Sequence, residues 1–142
     1  MKDRKELDQL LDDIRQTRER VLSTLIHVTE DDFSLPTDME RWTDVRRVLL
    51  RFGDHMREHA NQIEGTREQN SHLLTMPQRM LAEAEAAWGK LLASTVGLGD
   101  EDIDTVPLAG GWTVRQVLEH VLRSENLYFE AVIRALECKN TK

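Results

Sequence analysis

Apolar side chains recur at steps of three and four residues along four long segments of this 142-residue chain. That spacing places them on one face of an α-helix, and the residues between them are largely Asp, Glu, Arg and Gln. No segment shows the strict alternation that is typical of a half-buried strand. The sequence therefore predicts an all-α protein, a four-helix bundle. The predicted helices are Asp3–Val28, Val45–Ile63, Gln78–Val96 and a fourth that begins after Trp112 and ends near Leu136.

Polar residues at the predicted helix starts indicate how these helices begin. Thr43 or Asp44 is the predicted N-cap of the second helix, and Thr113 that of the fourth. A side-chain oxygen at this position accepts a hydrogen bond from a free backbone N–H of the first turn. Between the second and third helices, Gly65–Pro77 is predicted to be a connection.

The two halves of the chain resemble each other. Each half reads as a helix, an E-D pair, a proline, the dipeptide W-T and then a second helix. Pro36, for example, recurs as Pro107, 71 residues later. We therefore expect one domain over residues 1–142, built from two helix pairs, 1–71 and 72–142, that are related by a pseudo-twofold axis.

The charge and composition exclude several functional classes. The net charge of -7 and the lack of a basic stripe disfavour a nucleic-acid surface and an anionic membrane surface. No run of about 18 apolar residues could span a bilayer, and MKDRKELDQL lacks the apolar core of a signal peptide. Cys138 is the single cysteine, so there is no internal disulfide framework. We expect a cytoplasmic protein with neither a nucleic acid nor a membrane as partner.

Three histidines lie on predicted apolar helix faces. His55 and His59 are four residues apart on the second helix, so their imidazoles lie one above the other and can ligate one metal ion. The pseudo-twofold axis would bring His120, on the fourth helix, near this pair and complete a three-nitrogen set with an open position. Imidazole suits zinc, nickel, copper and ferrous iron. The spacing alone leaves open the alternative that these histidines are ordinary core side chains.

Two segments resemble a known family. WTVRQVLEHVLRSENLYF, Trp112–Phe129, resembles the Trp-Ser/Thr-x-x-x-x-x-Leu-x-His segment of the DinB-like (damage-inducible) superfamily, and GDHMREHANQI, Gly53–Ile63, resembles its His-x-x-x-His helix. Typical members carry the single histidine on the second helix and the pair on the fourth, so this chain resembles the family with its two halves exchanged. The resemblance implies a divalent metal ion, zinc or nickel, held by His55, His59 and His120.

The same resemblance implies a function. The superfamily includes metal-dependent thiol transferases, so we expect a metal-dependent transferase or hydrolase that takes a small-molecule substrate with a low-molecular-weight thiol, and a homodimer. Glu125, which matches an acidic residue common in the family segment, and Glu58 are candidates for a fourth ligand, a partner of a ligand or a catalytic base. Arg115 and Arg123 are candidates for holding a substrate carboxylate. All four also fit a solvated helix face, and the alternative function is a non-catalytic helical module for interaction or dimerisation with structural histidines.

Overall fold

The computed structural model describes residues 3–140, and over that range the protein is helical. A short 3-10 helix, Glu30–Asp32, lies in the first long loop. The described residues contain no β-strand, only an isolated bridge between Pro36 and Asp44. None of the described helices is both long and apolar enough to cross a lipid bilayer. The all-α prediction is confirmed, and the helix count is consistent with a four-helix bundle. The helices are α1 Lys5–Leu25, α2 Val45–Gln69, α3 Met76–Ser94 and α4 Val114–Asn140.

The chain forms two compact units that divide between Ala93 and Ser94. Unit 1 contains α1, α2 and all but the last residue of α3, and unit 2 contains the second long loop and α4. The division therefore falls at the end of α3 rather than between the predicted halves 1–71 and 72–142. The prediction of a single domain over 1–142 stays a prediction.

The loop before α2 in unit 1 and the loop before α4 in unit 2 make the same backbone hydrogen bond. The N–H of Arg46 donates to the carbonyl of Phe33 at 3.2 Å, and the N–H of Arg115 donates to the carbonyl of Ile103 at 2.9 Å. The internal repeat is thus present in the backbone. Its register is 70 residues in the loop, from Phe33 to Ile103, and 69 in the helix, from Arg46 to Arg115, rather than the 71 read from the prolines.

The predicted N-caps are present. The Oδ1 of Asp44 accepts from the N–H of Arg47 at 2.9 Å, so Asp44 rather than Thr43 caps α2. The Oγ1 of Thr113 accepts from the N–H of Gln116 at 3.2 Å, while the Oε1 of Gln116 accepts from the N–H of Thr113 at 2.9 Å. This reciprocal arrangement is a capping box, and it provides acceptors for two N–H groups at the start of α4.

The connection between α2 and α3 is shorter than predicted, so the predicted connection Gly65–Pro77 is wrong at both ends. Gly65 lies within α2, where glycine costs about 1 kcal/mol relative to alanine but does not end the helix. The last residue of α2 is Gln69, Ser71 just beyond it has a φ of 56°, and the N–H of His72 closes the last turn by donating to the carbonyl of Arg67 at 2.8 Å. Pro77 lies in the first turn of α3, where a helix does not use the missing N–H.

Side-chain burial in unit 1 is greatest where α1 ends and α2 begins. No residue among those described is fully buried. The guanidinium of Arg18 on α1 lies 5.6 Å from the ring centroid of Phe52 on α2, which joins the two helices. The predicted apolar face of α2 is half-buried as far as Phe52 and exposed at His55 and His59. The half-buried apolar residues of this region are Val21, Leu25, Val28, Phe33, Trp42, Val45, Val48, Leu49 and Phe52.

Candidate metal centre

Helix α2 brings His55 and His59 together, as their four-residue spacing predicts. Their Nε2 atoms are 2.9 Å apart, their ring centroids are 4.3 Å apart and the ring planes are nearly perpendicular, at 87°. Both side chains are exposed. At this separation the Nε2–H of one imidazole donates a hydrogen bond to the Nε2 lone pair of the other. The two imidazoles therefore share one proton between the atoms that would also bind a metal ion.

The amide of Gln62 determines which nitrogen of His59 accepts. Its Oε1 lies 2.8 Å from the Nδ1 of His59. A carbonyl oxygen can only accept, so Nδ1 carries the hydrogen and Nε2 carries the lone pair. This is the tautomer in which a histidine binds a metal ion through Nε2 while its other N–H is held by an acceptor. The sequence places Gln62 on the apolar face of α2 but does not reveal this role, for which the three-residue spacing from His59 is the only signal.

The paired imidazoles fit a divalent metal ion. Zinc–nitrogen bonds are about 2.0–2.1 Å long, so two Nε2 atoms 2.9 Å apart can both reach one ion. The ion would replace the proton that His55 and His59 share, because imidazole must present a lone pair to a metal. Within residues 3–140, no group of three or more His, Cys, Asp or Glu side chains gathers at one point. The described residues therefore place two imidazole nitrogens, and no third side chain of these types, within reach of one ion.

Glu58, a candidate ligand or base, is paired with Arg51. An Nη2 hydrogen of Arg51 donates to the Oε2 of Glu58 at 2.7 Å, across two turns of α2. This hydrogen bond, followed by the charge of Arg51, holds the pKa of the Glu58 carboxyl below its ordinary value of 4.5. A carboxylate with a lowered pKa is a weaker proton acceptor near neutral pH. The arrangement therefore favours Glu58 as the counter-ion of Arg51.

His120 lies on α4 in unit 2, where it is exposed and packs edge-on against Trp112. Their ring centroids are 4.9 Å apart, and the ring planes meet at 67°. Arg51 occupies the corresponding position of unit 1, the seventh residue of its helix, and its guanidinium carbon lies 5.1 Å from the ring centroid of Trp42. In each unit the tryptophan before the helix thus contacts the side chain at that position. The role of His120 as a third ligand stays a prediction.

The other candidates from the sequence lie near the start and middle of α4. Glu125 is exposed and lies about 140° around the helix from His120, because five residues separate them. Arg115 makes a two-point ion pair with Asp104, with its Nε 2.7 Å from Oδ1 and its Nη2 3.0 Å from Oδ2. These bonds hold the pKa of the Asp104 carboxyl below its ordinary value and raise the pKa of Arg115. Arg115 therefore ties the second long loop to α4.

No protein-family model, curated protein or solved structure matched this chain. The resemblance to the DinB-like superfamily thus depends on the sequence segments quoted above. The candidate metal centre depends on the positions of His55, His59 and Gln62.

Proposed function

We propose that the protein binds a divalent metal ion, zinc or nickel, through the Nε2 atoms of His55 and His59, as a DinB-like metalloprotein. The observation that carries this proposal is the 2.9 Å approach of the two Nε2 atoms, with the Nδ1 of His59 held by Gln62. His120 is proposed as the third ligand, and its support is the sequence resemblance alone.

The proposed reaction class is thiol transfer to a small molecule, or hydrolysis, with a low-molecular-weight thiol as the partner in the first case. A divalent ion at such a site supplies Lewis acidity, which activates a thiol or water as a nucleophile. In this scheme Gln62 keeps the lone pair of His59 on Nε2. Arg51 keeps Glu58 ionised and engaged, so this carboxylate does not take up the proton displaced from the histidine pair.

Metal content tests the proposal directly. The wild type, His59→Ala and His72→Ala are each loaded with zinc or nickel, desalted and submitted to elemental analysis. His72 is an exposed histidine outside the pair, so His72→Ala is the matched control. We expect about one ion per chain in the wild type and the control, and little in His59→Ala. Equal metal in the wild type and His59→Ala would reject the site, and His120→Ala tests the third ligand in the same way.

Exposed apolar side chains on α4 support a second candidate function, a non-catalytic helical interaction module. Leu122, Phe129 and Val132 are 64%, 66% and 58% exposed and share one side of the helix. Several exposed apolar side chains on one side of a helix often mark a surface that binds another protein. In this alternative the face forms a homodimer and the histidines are structural. A melting temperature that chelators leave unchanged, in a protein that binds no metal, favours this alternative.

A further inference from the structure

A cleft of about 470 Å³ lies beside His55 in unit 1, between α2 and the loop that precedes it. We name it the Trp42 cleft. Pockets that bind small molecules typically enclose roughly 300–1,000 Å³. The cleft is therefore large enough for a small organic ligand, and the histidine pair stands at one of its walls. Its lining residues are Met39, Trp42, Val48, Arg51, Phe52, His55 and Met56.

The walls of the cleft are mainly apolar. Trp42 and Phe52 contribute aromatic rings, and Met39 and Met56 contribute flexible thioethers. Aromatic rings bind apolar groups through their large surfaces, and methionine side chains adapt to ligands of irregular shape. These walls therefore suit an aromatic or branched aliphatic group.

Three arginines lie against the aromatic rings of these walls. The guanidinium carbons of Arg41 and Arg51 lie 5.4 Å and 5.1 Å from the ring centroid of Trp42, and that of Arg18 lies 5.6 Å from the ring centroid of Phe52. Glu58 pairs with Arg51, but no carboxylate in the described range lies within ion-pairing distance of Arg18 or Arg41. The chain as a whole has a net charge of -7. An excess of cations at one apolar cleft of an acidic protein favours an anionic ligand.

Arg51 also has an unused hydrogen-bond donor. Its Nη2 donates to Glu58, while its Nε–H is buried and has no partner among residues 3–140. A buried donor that lacks an acceptor destabilises the folded protein, so a shift of the Arg51 side chain that brings this N–H to a ligand oxygen would remove that penalty. A carboxylate matches the planar guanidinium group in geometry as well as in charge.

We propose that the Trp42 cleft binds a small organic carboxylate, with its apolar group against Trp42 and Phe52 and its carboxylate towards Arg51. Such a ligand would lie against His55 and would be the substrate of the metal centre. That assignment as substrate rests on the proposed function, whereas the binding itself requires only the cleft.

Two probes of nearly equal shape test the binding. 3-Phenylpropionate carries the carboxylate, and 3-phenylpropanamide is its neutral amide. Each is titrated into the protein while the indole N–H signal of Trp42 is followed by NMR. We expect a saturable shift with the acid and a dissociation constant at least tenfold higher for the amide. Equal dissociation constants for the two probes in the wild type would overturn the proposal, whatever the variants do.

Substitutions on α2 then locate the interaction. Arg51→Gln should raise the dissociation constant of the acid to about that of the amide. Arg57→Gln removes an exposed arginine that pairs with Asp54 and does not line the cleft, so it should change neither constant. Val48→Phe narrows the cleft and should weaken both probes tenfold or more. An acid that binds the folded Arg51→Gln or Val48→Phe variant as tightly as the wild type contradicts the assignment.

Parallel titrations of metal-free and zinc-loaded protein separate the two proposals. If the acid is preferred over the amide but no zinc binds, the carboxylate cleft stands and the metal centre fails. If zinc binds through His55 and His59 but the acid and amide bind equally, the metal centre stands and the carboxylate cleft fails.

Discussion

Replacing Gln62 with leucine tests whether the hydrogen bond at Nδ1 of His59 prepares Nε2 for a metal ion. Leucine has a similar size but offers no acceptor. His59 would lose its 2.8 Å hydrogen bond to the amide oxygen, and its proton could then reside on either nitrogen. A fraction of the molecules would carry that proton on Nε2, where it competes with the metal.

The expected loss of zinc affinity depends on how exposed His59 and Gln62 are. Removing the acceptor behind a metal-binding histidine typically weakens metal affinity about 10- to 100-fold. Both His59 and Gln62 are exposed, so water replaces part of the lost interaction. We therefore expect the lower end, an increase of about tenfold in the zinc dissociation constant, or about 1.4 kcal/mol. Gln62→Glu should act in the opposite direction, because a carboxylate acceptor makes the imidazole a stronger ligand.

Isothermal titration calorimetry with zinc, in competition with a chelator of known affinity, measures these constants. Gln69→Leu is the matched control, since it removes a glutamine seven residues further along α2 that does not contact the pair. We expect its zinc affinity to equal that of the wild type. Equal affinities for Gln62→Leu and the wild type, or weaker binding by Gln62→Glu, would refute the role of the amide.

Three further predictions concern the stability of the helix ends and of the second long loop. Ser71→Gly should raise the free energy of unfolding in urea by about 0.5–1 kcal/mol, because glycine adopts the φ of 56° found at Ser71 without strain. Asn70→Gly, at a φ of -92°, should not raise it. Thr113→Ala should cost about 1 kcal/mol in the same assay, and an unchanged stability would contradict the capping box of α4. Arg115 lowers the folded-state pKa of Asp104 below 3.8, so the stability this pair contributes is present above that pH and is lost as pH falls through the lowered pKa. Asp104→Asn should therefore flatten the loss of stability in acid, and an unaltered pH profile would contradict the pairing.

The apolar spacing predicts the four helices because helical periodicity is a property of the sequence itself. The caps at Asp44 and Thr113 are equally local, since each depends on one side chain and the next turn of backbone. The end of α2 is different. Gly65 is a strong stop signal but only weakens a helix, whereas α2 continues to Gln69 and the backbone turns at Ser71, a residue type that rarely adopts a positive φ. No feature of the sequence distinguishes that serine from its neighbours.

The candidate site likewise has one part that the sequence predicts and one part that it does not. The contact of His55 with His59 follows from their spacing along one helix. The Trp42 cleft does not, because it requires the loop before α2 to fold back on itself. That loop is held by the hydroxyl of Thr37, which donates to the carbonyl of Trp42 at 2.5 Å, and by the N–H of Thr37, which donates to the carbonyl of Thr43 at 3.1 Å. Such loop hydrogen bonds have no periodic signature.

The internal repeat gives Arg51 and His120 the same position on the same scaffold. Each is the seventh residue of its helix and packs against the tryptophan before that helix, at 5.1 Å for Arg51 and 4.9 Å for His120. Arginine keeps its charge at any physiological pH and suits the recognition of a carboxylate, whereas a neutral imidazole suits a metal ion. If both proposals hold, this one structural position would carry an anion-binding residue in unit 1 and a metal ligand in unit 2. The contact with tryptophan positions the side chain in both units. Replacing a guanidinium by an imidazole there changes the chemistry without altering the helix backbone.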